Sequence, residues 1–194
     1  MQLLYSPDVL ESLILFALII FFQPLFGHVS VTSGIILLLA YVTLVPGLLL
    51  IFRLSPPFVP TSRKVLTIMM DLAKIRRGER VYDLGCGDGR VVFAAAERGA
   101  IATGYEFSVP TYLIAKFRSL FRRGARIRFR NYWKQDYRNA DVVFCFLLTR
   151  TMQEFHQFIW PHLKKGCRVV SNSFQIEGLI PVEQRSCVFV YVKE

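Results

Sequence analysis

Hydrophobic and polar positions divide this chain near residue 54. Ile35 to Phe52 is a run of 18 residues without a charge. With Gly34 and Arg53 at its ends it approaches the ~20 residues a helix needs to cross a ~30 Å hydrocarbon core. Pro46-Gly47 interrupts the run, a break that membrane helices tolerate when neighbours satisfy the freed backbone groups. The pattern predicts a transmembrane helix. Val9 to Phe26 is a second apolar stretch, weakened by Glu11, Gln23 and Pro24. It is expected as a first span or as an interfacial segment. No basic residue precedes it and no A-x-A site follows, which argues against a cleaved signal peptide.

Ser55-Pro-Pro-Phe-Val-Pro60 places three prolines in five residues, which precludes a continuing helix. The expected organisation is a membrane anchor of one or two helices over 1–54, a proline-rich connector over 55–60, and a globular domain over 61–194. In that domain helical and strand patterns alternate. Helices are predicted over Thr61–Lys74, Gly89–Arg98, Val109–Phe121 and Thr149–Leu163. Strands are predicted over Arg80–Leu84, Ile101–Tyr105, Arg126–Arg130, Asp141–Phe146, Cys167–Ser171 and Cys187–Val192, the last pairing as a hairpin with Leu179–Val182. Alternating strands and helices imply an α/β fold, a mostly parallel sheet with helices on both faces.

Charge sharpens the division. Residues 1–54 hold only Asp8, Glu11 and Arg53, whereas the rest of the chain carries 23 Lys+Arg against 12 Asp+Glu. Arg53, Arg63 and Lys64 flank the strong span on one side only. The positive-inside rule then places residues 54–194 on the cytoplasmic side of the membrane. Cys86, Cys145, Cys167 and Cys187 form no C-x-x-C pair, and His28, His156 and His162 have no ligand spacing. Neither a disulfide framework nor a metal site is expected.

The candidate chemistry sits where the first strand turns into a helix, in Val81-Tyr-Asp83-Leu-Gly85-Cys86-Gly87-Asp-Gly89-Arg90. The glycines permit a tight turn and close approach of backbone to a ligand. The helix start behind them offers free N–H groups and a positive dipole end. A dinucleotide G-x-G-x-x-G would need glycine where Arg90 stands, and a Walker A loop would need Gly-Lys-Ser/Thr. The pattern D-x-G-x-G-x-G instead resembles motif I of class I S-adenosylmethionine methyltransferases, whose fold is Rossmann-like. That resemblance implies S-adenosyl-L-methionine as cofactor, with Asp83 near its methionine end. Glu106 ends the second strand 23 residues after Asp83. A carboxylate there can accept hydrogen bonds from both ribose hydroxyls.

A wider set of motifs runs in order: Pro57-Phe-Val-Pro-Thr61, the motif around Asp83, Gly104-Tyr-Glu106, Asn131-Tyr-Trp-Lys134 and Val169-Val-Ser-Asn-Ser-Phe174. Together they resemble the membrane-anchored lysine methyltransferases that modify the ATP synthase c-subunit and the adenine nucleotide translocase. The resemblance implies a lysine on a membrane protein as acceptor. It places Asn131 at the adenine and Thr61 near the methionine end, beside Asp83, Gly85, Cys86, Gly87, Gly89 and Glu106 as cofactor-binding candidates. Asp136 is a weaker rival to Asn131. Tyr132, Trp133, Thr149 and Phe174 are the acceptor-channel candidates. Where such enzymes usually carry a valine-proline or alanine-proline pair after the fourth strand, this chain has Leu148-Thr149. A small-molecule or lipid acceptor, and a non-catalytic cofactor-binding scaffold, remain alternatives.

Methyl transfer from a sulfonium is an in-line displacement that needs alignment and water exclusion more than a strong base. No general base is therefore expected. Arg118, Arg122, Arg123, Arg126, Arg128 and Arg130 crowd one short stretch. Beside an anchor, that face is expected to meet the anionic headgroups of a lipid bilayer. The anchor argues against a nucleic-acid groove.

Overall fold

The computed structural model describes residues 31–54 and 59–194, with side chains of the first segment described from Thr32 to Gly47. Val9–Phe26 and residues 55–58 of the connector lie outside the described residues. The chain divides into two units after Leu54.

In the first unit, α1 (Val31–Leu54) is one 24-residue helix that passes Pro46 without ending. Of its described side chains, Ile35 to Leu39, Val42 and Leu44 are exposed, while Ala40, Tyr41 and Val45 are half-buried. Among the described residues no helix is long and apolar enough to cross a membrane. The span expected over Ile35–Phe52 thus finds a helix there but no support as a crossing.

The second unit is an α/β domain. Its helices are α2 (Arg63–Ala73), α3 (Arg90–Glu97), α4 (Val109–Ser119) and α5 (Thr149–Phe158). Its strands are β1 (Arg80–Leu84), β2 (Ile101–Glu106), β3 (Ala125–Phe129), β4 (Val142–Cys145), β5 (Arg168–Asn172), β6 (Glu183–Arg185) and β7 (Val188–Val192). They form one sheet in the order β3-β2-β1-β4-β5-β7-β6. β1 to β5 are parallel, and β7 runs antiparallel between β5 and β6. The order reverses at β1, whose neighbours β2 and β4 belong to oppositely directed halves. Ligands of such sheets bind outside the carboxyl ends of the strands at that switch point.

Each sheet face carries its own core. One gathers Met69, Leu72, Val92, Phe93, Ala115 and Ile127 from α2, α3, α4 and β3. The other gathers Leu84, Tyr105, Tyr137, Met152, Phe155 and Trp160, under α5 and the crossover from β3 to β4. Ser62 caps α2 by accepting from the Val65 N–H at 3.3 Å. α5 ends at Phe158 rather than Leu163. Pro161 follows, and the chain makes a short 3₁₀ turn over Trp160–His162 instead. The hairpin also differs from expectation: its first strand is β6, with Gln184 opposite Phe189, not Leu179–Val182. Cys86, Cys145 and Cys167 are buried and Cys187 is half-buried, all as free thiols.

Candidate functional site

The glycine turn leaves β1 at Leu84 and enters α3 at Arg90. Gly85, Gly87 and Gly89 take φ of 72°, 56° and 84°, a region that strains any residue with a Cβ. A Cβ at Gly85 would meet nothing within 4 Å, so open space lies above the turn. Gly104 of β2, opposite Asp83 in the sheet, has a different reason to be glycine. A Cβ there would sit 2.6 Å from both Cys86 Cβ and Val92 Cγ2. The Cys86 side chain therefore belongs to the core, and only its backbone forms the turn.

Glu106 closes β2 with its carboxylate folded onto the turn. One oxygen accepts from Gly87 N at 2.9 Å, and the other accepts from Phe107 N and Ser108 N at 2.8 Å each. These three backbone donors fix the carboxylate beside the turn and leave lone pairs for further donors.

Asp83 is the opposite case. Its side chain is buried at the end of β1. Burial, then the charges of Glu106 and Asp88, push its pKa up to about 8. A carboxylate in that state calls for a cation.

Asp88 and Arg90 brace the turn from behind. Arg90 donates through Nε to Asp88 Oδ1 and through Nη2 to Oδ2, each at 2.9 Å, and to the Thr61 carbonyl at 2.5 Å. Arg118 of α4 bonds the same carboxylate and donates to the Asp88 carbonyl at 3.2 Å. Burial opposes the Asp88 charge, but the bonds from Arg90 and Arg118 outweigh it and hold the carboxyl below its ordinary pKa. Arg118, grouped with the basic face in the sequence, thus turns inward. No spacing rule connects it to Asp88, 30 positions away.

Thr61 is buried and reaches the site through its carbonyl's bond to Arg90. Asn131 stands just past β3, beside Arg130, whose N–H donates to the Glu106 carbonyl at 3.2 Å. Its Oδ1 accepts from Trp133 N at 2.9 Å, capping the turn Tyr132–Lys134. Asp136 is exposed and held by Arg138, which brings its pKa down to about 2.

The acceptor candidates gather partly. Tyr132 and Trp133 have ring centroids 5.0 Å apart, and Phe174 stacks on Phe146 at 6.1 Å. All three candidates pack against the core of the α5 face. Thr149 begins α5 and is exposed. Burial first, then the charges of Glu154, Cys145 and Glu106, push Tyr132 up to about 12, so its phenol keeps its proton. A cleft of about 440 Å³ lined by Tyr137, Phe158 and His162 includes Trp133 and the adenine rival Asp136, but neither Asn131 nor any residue of the glycine turn. Among the described residues no group could hold a metal ion.

Comparison with known proteins matches this architecture. The family model described as the ANTKMT methyltransferase domain matches residues 83–183. A protein-lysine N-methyltransferase from Saccharolobus islandicus (strain REY15A) is 37% identical over 133 residues, 66% of this chain and 82% of that protein. The human lysine N-methyltransferase of the ATP synthase c-subunit is 30% identical over 129 residues, 64% of this chain and 54% of that protein. The mouse adenine nucleotide translocase lysine N-methyltransferase is 32% identical over 135 residues, 67% of this chain and 58% of that protein. The chain thus spans little more than half the length of these two mammalian relatives. Among solved structures, an RNA methyltransferase from Salinibacter ruber in complex with S-adenosyl-L-homocysteine superposes with a TM-score of 0.65 at 27% identity. That match covers 70% of this chain and 94% of that one.

Proposed function

The chain belongs to the ANTKMT methyltransferase domain family and is an S-adenosylmethionine-dependent methyltransferase, and from that premise we propose that its acceptor is a lysine Nζ on a membrane protein. The observation that carries the cofactor half is the buried Asp83 carboxylate, its pKa raised to about 8, at the foot of the glycine turn. The residues present fit the cofactor. Asp83 offers the anion its amino group needs, Glu106 offers acceptors to vicinal ribose hydroxyls, and Gly85 leaves the space. In this reading Gly87 and Gly89 shape the turn, with Cys86 contributing backbone, while Thr61 lies at the methionine end and Asn131 at the adenine.

When bound, S-adenosylmethionine supplies an electrophilic methyl group on a sulfonium. The chain's own task is to align an amine with it and keep water away. Tyr132, Trp133 and Phe174 form the apolar wall proposed for the acceptor channel, with Thr149 at its rim. An apolar wall disfavours the ammonium form of an entering lysine, so the amine sheds its proton to solvent before transfer. The Tyr132 phenol, held neutral, can orient that amine but cannot take its proton.

The lysine acceptor is supported by the names of three relatives, two of which act on membrane proteins. The membrane setting is supported by the charge-free run Ile35–Phe52 and by the membrane proteins named for two of those relatives. It extends to residues 1–54 as a membrane anchor, with 61–194 as a catalytic domain on its cytoplasmic side. The test is label transfer. Membranes carrying the wild-type chain, or Asp83→Ala, receive methyl-labelled S-adenosylmethionine, and protein, lipid and nucleic-acid fractions are counted. A discrete protein band, stable to base and absent with Asp83→Ala, is expected. Label confined to the lipid extract overturns the lysine reading.

A further inference from the structure

α4 buries only Thr111 and Ala115. At 100° per residue the side opposite Ala115 carries Leu113 and Phe117, with Ile114 alongside, and Leu120 and Phe121 follow in the turn just past the helix. On a water-facing helix these positions are polar. Here Phe117 is 65% exposed, Leu120 69% and Phe121 75%, and Leu113 and Ile114 are exposed with them. Phe107, exposed just before α4, stacks on Phe129 of β3 at 5.5 Å. Exposed apolar side chains gathered on one helix side mark a place of contact.

The charge around it has one sign. Residues 107–135 hold eight Lys and Arg and not one Asp or Glu. Two of those cations are engaged, Arg118 by Asp88 and Arg122 by Glu97. Lys116 of α4 and Arg123 just past it are exposed and form no ion pair among the described residues, whereas Arg126 and Arg128 alternate with Ile127 and lie on the other face of β3. Leucine and isoleucine side chains facing outward offer nothing to a nucleic-acid backbone. Apolar side chains with a fringe of basic residues are complementary to the headgroup–acyl boundary of an anionic bilayer.

We infer that α4 and the turn that follows it form a membrane contact. It seats the catalytic domain on an anionic lipid surface, with the apolar side chains in the boundary and the flanking Lys116 and Arg123 on lipid phosphates. This contact is independent of α1 and of the acceptor's identity.

The test places a reporter in the patch of the 194-residue chain. Phe117→Trp is mixed with vesicles of phosphatidylcholine, with or without phosphatidylglycerol, whose acyl chains are brominated. Trp133 and Trp160 give a background measured with the wild type. A blue shift and roughly twofold quenching of the reporter are expected in anionic vesicles, as for a side chain ~5–10 Å into the boundary. Ile180→Trp, at an exposed site in the loop before β6, should stay unquenched in the same vesicles. Adding Lys116→Glu and Arg123→Glu to the reporter should remove the quenching. Vesicle-bound protein with an unquenched reporter overturns the inference, as does equal quenching in neutral vesicles. A blue shift without vesicles that grows with protein concentration also overturns it, in favour of a second copy. Leu120→Trp serves as an independent reporter, with the same outcomes.

Discussion

Asp83 concentrates the site's chemistry in one titration. Its pKa is raised from the ordinary 3.8 to about 8, so between those values the folded chain holds a proton that the unfolded chain has lost. Its contribution to stability is fully present below pH ~4 and is lost as pH rises through about 8. The urea midpoint of the free protein should therefore fall from pH 5 to pH 8.5, and Asp83→Asn should flatten that slope. Cofactor binding has the opposite sign, because a cationic amine favours the carboxylate. Calorimetry at pH 7, in buffers of different ionisation enthalpy, should show close to one proton released per S-adenosylhomocysteine bound, and Asp83→Asn should show none. Gly104 is the second residue with a sharp consequence. Gly104→Ala drives a methyl group into Cys86 and Val92, an overpacking that costs about 1–3 kcal/mol. Because Cys86 belongs to the turn, cofactor affinity should fall along with the urea midpoint.

At the scale of elements, the turn and α3 act as a unit because two arginines clamp Asp88. Arg90→Lys keeps the charge but loses the planar fork that spans both carboxylate oxygens and the Thr61 carbonyl. It should weaken S-adenosylhomocysteine binding about tenfold, the effect of ~1.4 kcal/mol, with the melting temperature changed little. The clamp also shows where reading the sequence stops. Strands β1, β2 and β4 were legible because short apolar runs sit between glycine turns and helical patterns, and Asp83 and Glu106 were legible because both end such runs. The inward turn of Arg118 was not, since its partner lies 30 positions back and its neighbours are exposed arginines. The shift of the hairpin to Glu183–Arg185 was illegible for a related reason. Its register is set by pairing with β7 inside the sheet, and Val182 N already bonds Val190 O at 2.8 Å. The outward apolar stripe of α4 hid within a helix whose pattern reads as ordinarily amphipathic until Ala115 shows which side is down.

Across the whole catalytic unit, the carboxyl ends of the strands hold the site and the opposite ends hold the domain together. There Arg168 of β5 bonds Glu79 at 2.6 Å and the Lys74 carbonyl at 2.9 Å, tying α2 and β5 across a mostly buried pair. Arg168→Met should cost about 1–3 kcal/mol in urea denaturation. It should leave S-adenosylhomocysteine affinity unchanged, which separates the two ends experimentally. The buried sulfurs give this unit a built-in clock. Burial pushes the Cys145 and Cys167 thiols up to about 12 and raises Cys86 well above its ordinary value, so almost none is thiolate at neutral pH. An alkylating reagent can reach these three only when the domain opens. Half-buried Cys187 is modified ahead of them. The slow phase of iodoacetamide uptake, followed by mass, then counts openings of the folded chain directly, and cofactor that grips the turn will lengthen it.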